Sequence, residues 1–170
     1  PAYYPSHRVL GVIVPATEEA ISRTKNNRIG VLATEGTVRA GSFTRELQKL
    51  NPNVLVFEQA CPKLVELVEA GDTSSEKARE VVRGYVENVL KEDIDTLILG
   101  CTHYEHLLPE IRAVIGDRNI TIISEAEVIA RKLKEYLVRH PEIEQKIERS
   151  SERAFYTTDA TDRFEKLGSV

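Results

Sequence analysis

The tripeptide Cys101-Thr102-His103 puts a thiol, a hydroxyl and an imidazole side by side. A thiolate is a base and a nucleophile, and an imidazole passes protons near neutral pH. The hydroxyl of Thr102 suits capping a helix or gripping a carboxylate. The preceding run "DTLILG" at 95–100 is apolar, and the "YEHLL" that follows at 104–108 is amphipathic. Cys101 therefore reads as the end of a strand and the start of a helix, where free backbone N–H groups favour a thiolate. Gly100 lacks a side chain and reads as room for a ligand against the backbone. On spacing alone, a purely structural role for Cys101 stands beside this functional one.

The other candidates are weaker. Cys61, between Ala60 and Pro62, reads as a small buried hydrophobe. Cys101 and His103 are too few to ligate a metal, and Cys61, His7, His106 and His140 show no ligand spacing with them. His106 and His140 read as surface residues. "ATEGT" at 33–37 lacks the glycines and lysine of a phosphate loop. It reads as a tight turn at Gly36 capped by Thr37.

These residues need a scaffold, and the apolar pattern supplies one. Runs at 8–14, 28–33, 53–58, 95–100 and 119–124 are short, rich in Val, Ile and Leu, and apolar on both faces, as parallel strands covered on both sides are. Helical patterns alternate with them. One spans 75–91, with Ala78, Val81, Val82, Tyr85, Val86, Val89 and Leu90 on its stripe and Ser or Thr caps before it. Pro62 opens another that Gly71 closes, and a third covers 40–50. A further stripe carries Ala126, Ile129, Ala130, Leu133 and Leu137. The alternation predicts an α/β fold with a doubly wound parallel sheet of four or five strands. After His140 the chain turns polar, then "AFYTTD" at 154–159 reads as one more strand and 160–170 as the start of a helix.

Composition excludes several classes. Of 170 residues, 41% are apolar and 29% charged, an ordinary globular balance. A net charge of −4 argues against nucleic acid. No apolar run approaches the ~20 residues of a membrane span, and "PAYYPSHR" is no signal peptide. Two cysteines make no disulfide framework, which points to a reducing, cytoplasmic setting. The chain contains no methionine and reads as a piece of something longer.

"LILGCTHYEHLLPEI" resembles the second cysteine motif of the glutamate racemases, in the aspartate/glutamate racemase superfamily. "RIGVLATEGTVRAGSF", "ACPKLVELVEAG" and "AFYTTDATDRF" are similar to other segments of that family, in the same order. The resemblance implies a cofactor-independent enzyme in which two thiols flank the α-carbon of glutamate, one removing a proton and the other delivering one. It implies that Cys101 is the second catalytic cysteine and that His103 assists it. Thr102 and His103 would contact the substrate. Glu69, 32 positions before Cys101, stands where the family has a glutamate near that thiol; an exposed helix-end charge is the plain structural alternative.

The resemblance further implies a second racemase-like domain over 9–123. Residues 124–170 would be helix, linker and strand returning to a missing first half. The Asp-Ser-Gly, Tyr-Gly and Ala-Cys-Asn-Thr motifs of that half are absent, and Glu66 and Glu105 stand where the family commonly has proline. The expected partners are glutamate and the missing N-terminal half, with no nucleic acid, no membrane and room for a homodimer. The product, D-glutamate, would serve peptidoglycan. Two alternatives stay open: a one-cysteine superfamily relative such as a decarboxylase, and a non-catalytic dimerising domain.

Overall fold

The computed structural model describes residues 11–148 and Ser150. Strands β1 (Arg28–Ala33), β2 (Leu55–Ala60), β3 (Thr96–Gly100) and β4 (Thr121–Ser124) form one fully parallel sheet in the order β2-β1-β3-β4. Helices α1 (Ile13–Arg23), α2 (Glu35–Ala40), α3 (Ser42–Leu50), α4 (Pro62–Glu69), α5 (Glu76–Leu90), α6 (Leu108–Ile115), α7 (Glu125–Arg139) and α8 (Pro141–Glu144) surround it, with a 3₁₀ turn over Thr102–Leu107. The doubly wound α/β fold expected from the apolar alternation is the fold observed.

The central strands β1 and β3 are buried on both faces, successive side chains pointing to opposite sides, whereas the edge strand β2 is half-buried. Leu97 and Leu99 of β3 and Leu32 of β1 join a core built with α4, α5, the 3₁₀ turn and α6. Ile98, Ile29, Val31 and Ala33 join a second core with α1, α3 and Val128 of α7. Ser75 caps α5, its Oγ accepting the Ala78 N–H at 3.1 Å, and Pro62 opens α4 in the first turn, where a missing N–H is harmless.

Three expectations need correction. No strand covers 8–14: residues 8–10 lie outside the described residues, and Ile13 and Val14 begin α1. A short apolar run does not separate strand from helix. Here Ala16, Thr17 and Ala20 are buried and Ile13 half-buried, at helical spacing, and Pro15 sits in the tolerant first turn.

The helix expected over 40–50 is α3, but a further helix, α2, precedes it and contains Gly36 and Thr37. Its cap is Thr34, whose Oγ1 accepts the Thr37 N–H at 3.3 Å. Gly41, at φ +57, makes the left-handed joint between α2 and α3.

The α7 stripe is real but faces outward. Leu133 is 43% exposed, Ala126 and Ala130 are exposed, and Ile129 and Leu137 are half-buried. The residues that α7 buries are Glu125 and Val128. The strand and helix expected over 154–170 lie outside the described residues. Among the described residues no helix is long and apolar enough to cross a membrane.

Asp95, just before β3, ties the far end of the sheet together. Its Oδ2 accepts the Lys25 and Asn26 N–H groups at 2.6 and 2.8 Å, and its Oδ1 accepts the Thr24 and Thr96 hydroxyls at 2.6 and 2.9 Å. Burial alone would raise this carboxyl, but the four donors outweigh it and hold it below its ordinary range. A carboxylate depressed in the folded state contributes stability fully above its unfolded pKa of about 4, and loses it as pH falls through the folded value. Asp95→Asn should therefore lower stability at pH 7 by about 1–3 kcal/mol in urea unfolding. The gap from wild type should close as pH falls below the ordinary carboxylate range and through the folded value; a gap independent of pH would assign the loss to geometry instead of charge.

Candidate functional site

The chain leaves β1 toward one face of the sheet, through α2 and α3, and leaves β3 toward the other, through the 3₁₀ turn and α6. Such a reversal opens a crevice at the carboxyl edge of an open sheet. Ala33 pairs with Gly100 across it, so Thr34 and Cys101 leave the sheet at the same level. Gly100 offers no room for a ligand, contrary to the expectation. A Cβ there would lie 2.7 Å from Cε2 of Phe43 and 3.2 Å from the Leu32 carbonyl oxygen. The glycine admits the Phe43 ring against the sheet.

Three residues singled out in the sequence meet in space. Sγ of Cys101 lies 3.8 Å from Nδ1 of His103, and Nε2 of His103 lies 2.6 Å from Oε1 of Glu69. Glu69 is the last residue of α4, which packs against the 3₁₀ turn. A carboxylate only accepts, so Glu69 selects the tautomer with its proton on Nε2. That leaves the Nδ1 lone pair facing the thiol, the arrangement by which an imidazole takes a thiol proton. The carboxylate and imidazole are 38% and 32% exposed, open to the crevice.

Tyr104 holds this turn in place. It is fully buried, and its hydroxyl donates to the Cys61 carbonyl at 3.1 Å. That bond locks the loop after β3 onto the loop after β2. Thr102 caps nothing: Cys101 itself occupies the cap position, without a side-chain bond, and Thr102 is exposed.

The thiolate expected from a helix start does not dominate. Burial pushes the Cys101 thiol above its ordinary value; the His103 and Tyr104 N–H groups pull it down, and the Glu125 charge pushes it up. The turn is a six-residue 3₁₀ segment, and its amides do not offset the cost of burying the charge. Cys61 is 0% exposed, and burial drives it up to about 12. Cys61 is thus the buried hydrophobe expected of it.

On the β4 side of Cys101, a cavity of about 290 Å³ is lined by Thr102, Glu105, Glu125, Ala126, Ile129 and Ala130. Glu105 and Glu125 were not read as site residues. A charged residue directly after the apolar run "TIIS" was the available signal for Glu125. Thr34 and Thr37, whose hydroxyls lie 3.0 Å apart beside the crevice, were also missed. A wider groove of about 610 Å³ runs along the β2 edge between Thr44, Arg45, Lys49 and Glu58, two strands from the thiol. His106 is exposed, and His140 contacts Glu142 at 3.2 Å; His7 lies outside the described residues.

Residues 7–133 match the family described as Asp/Glu/Hydantoin racemase. The glutamate racemase of Bacillus cereus is 40% identical over 161 residues, covering 95% of this chain and 59% of the relative. That of Corynebacterium diphtheriae is 47% identical over 123 residues, covering 72% of this chain and 46% of the relative. The crystal structure of glutamate racemase isoform RacE1 from Bacillus anthracis aligns at TM-score 0.74 and 38% identity, over 81% of this chain and 52% of that one. Glutamate racemase from Francisella tularensis, in complex with D-glutamate, shares the fold at TM-score 0.83 and 24% identity, over 97% of this chain and 60% of that one. The chain thus spans about three fifths or less of these relatives' length.

The contrast between the two thiols is directly measurable. Under limiting iodoacetamide at pH 8, Cys101 should label at least about tenfold faster than Cys61, because only an accessible thiolate reacts. Peptide mass mapping over time reads the ratio, and faster labelling of Cys61 would reverse the assignment.

Proposed function

Because this chain belongs to the Asp/Glu/Hydantoin racemase family, we propose that it is the His-assisted thiol domain of a glutamate racemase. The observation that carries the proposal is the Glu69–His103–Cys101 relay at the carboxyl end of β3. The curated relatives named above, all glutamate racemases, supply the substrate class.

Glutamate would lie in the crevice with its α-carbon against Cys101. His103 takes the thiol proton, and the resulting thiolate removes the α-proton from one face. In the reverse direction the protonated thiol delivers it. Glu69 holds the imidazole in the required tautomer and stabilises the imidazolium formed on the way. Thr102, which lines the cavity, would contact the substrate. Inversion needs a second acid–base group on the opposite face. Cys61 does not serve, being fully buried and two strands away in the sheet order.

That group comes from the portion of the relatives' length this chain does not span. This reading assigns residues 9–123 to the domain bearing the relay and 124–170 to the link with that portion. The enzyme needs no cofactor, since both proton transfers use side chains. It works in the reducing cytoplasm and makes D-glutamate for the cell wall.

Solvent deuterium exchange at Cα of L- and D-glutamate, followed by NMR, tests the reading. This chain alone should give no inversion. Supplying the absent portion from the Bacillus cereus relative in trans should restore it, and Cys101→Ala should abolish it. In the completed enzyme, Glu69→Gln should lower kcat about 10- to 100-fold with little change in KM. Robust inversion by this chain alone would reveal a second base within it and overturn the two-part mechanism.

A further inference from the structure

Glu125 is 4% exposed, yet among the described residues its carboxyl has no hydrogen-bond or ion-pair partner. A carboxyl that deep is ordinarily paired. The sheet register explains its position. Leu99 pairs with Ser124, so the next residues along, Gly100 and Glu125, leave adjacent strands together. Adjacent strands are about 4.8 Å apart, which sets Glu125 beside the turn that begins at Cys101.

Glu105 lines the same cavity from the 3₁₀ turn, and its Oε1 is buried without a partner. The rest of the lining is Thr102 and the apolar Ala126, Ile129 and Ala130. Two carboxyls thus share a low-polarity space with no cation between them.

Acidic groups flank the turn that carries the thiol on two sides: Glu69 behind His103 from α4, and Glu125 with Glu105 in the cavity beside β4. The charged residues of α1 and α7 nearest to this region are occupied elsewhere. Glu19 pairs with Arg131 at 2.8 Å and Glu18 with Lys132 at 3.1 Å, roughly 9 Å along α7 from Glu125 at 1.5 Å per residue. Glu127 is exposed.

We propose that Glu125, backed by Glu105, is a positioning residue for the Cys101 thiol: while charged it keeps the thiol protonated, and when neutral it lets the thiol ionise. Burial, with the Glu105 charge behind it, raises Glu125 to about 7, so this change of state falls near neutral pH. The effect opposes the ordinary gain of thiolate with pH. Thiol reactivity therefore rises less steeply through neutrality than a lone cysteine's. This inference rests on reading Cys101 as the reacting thiol of the family reaction.

The test uses this chain and needs no turnover. Cys101 labelling by iodoacetamide is followed by peptide mass mapping from pH 6 to 9.5 for wild type, Glu125→Gln and Glu105→Gln. Glu125→Gln should match wild type at pH 6 and label roughly three- to tenfold faster at pH 8.5. Glu105→Gln should do the reverse near pH 6.5, labelling slower than wild type, because Glu125 without its like-charged neighbour ionises at lower pH. Opposite signs from two carboxamide substitutions cannot come from loosened packing. A Glu125→Gln profile that tracks wild type throughout, or that is faster by one factor at every pH, would overturn the proposal. Failure of the completed enzyme to invert glutamate, with these profiles intact, would sink the racemase reading and leave the thiol control standing.

Discussion

Strand β3 lies against β1 with Gly100 level with Ala33, and the chemistry of this protein depends on that close approach. The ring of Phe43, carried over from α3, fills the space a Cβ on Gly100 would need. Any side chain there would displace the ring or the strand, at about 1–3 kcal/mol for an overpacked core. With the strand so fixed, the loops after β1 and β3 part to opposite faces, and the crevice follows from topology. Cys101 is the first residue free of the sheet, so its position is inherited from the best-packed part of the molecule.

The site sets burial against ionisation. A proton-transferring thiol must ionise within reach of its partner, yet this one is half-buried, and burial disfavours its charge. The local amides relieve part of that penalty. In the proposed reaction the relay would relieve it differently, by giving the proton somewhere to go: the imidazole, held by Glu69 at 2.6 Å. A charge-assisted bond of this kind is stronger than a neutral one, and its direction fixes which nitrogen faces the sulfur. Tyr104, fully buried and bonded to the Cys61 carbonyl, keeps the short turn from drifting, since a 3₁₀ segment has poor hydrogen-bond geometry of its own.

Helix α7 has two unlike sides. One is pinned to α1 by the pair Glu19–Arg131, with Arg23 also on Glu19 at 3.0 Å. These donors outweigh burial in holding Glu19 below its ordinary range, the Arg131 bond contributing most. The other side presents Ala126, Ala130 and Leu133 outward, next to the cavity that holds Glu105 and Glu125. The apolar periodicity of α7 therefore reports a face that the described residues leave uncovered, and the buried positions of the helix are not those the periodicity marks.

The local signals that decided the fold were those with one physical meaning. The doubly apolar runs that end as β1, β2, β3 and β4 alternate with helical stripes, and Pro62 and Ser75 each mark a helix start by what they do to the first free N–H groups. The three residues that meet after β3 and α4 had each been singled out, Cys101 and His103 from their adjacency after a strand, Glu69 only through the family resemblance. Where a pattern had two meanings, tertiary contacts chose. Ile13 and Val14 entered a helix because α1 had a sheet face to cover. Gly36 and Thr37 entered a helix because Thr34 was there to cap it. The balance on the Cys101 thiol was beyond any local reading. It is a sum over burial, the amides of one turn, and a carboxylate 24 residues away that β3–β4 pairing brings alongside. Spacing along the chain records none of these, because desolvation and Coulomb interactions depend on distance through the folded molecule.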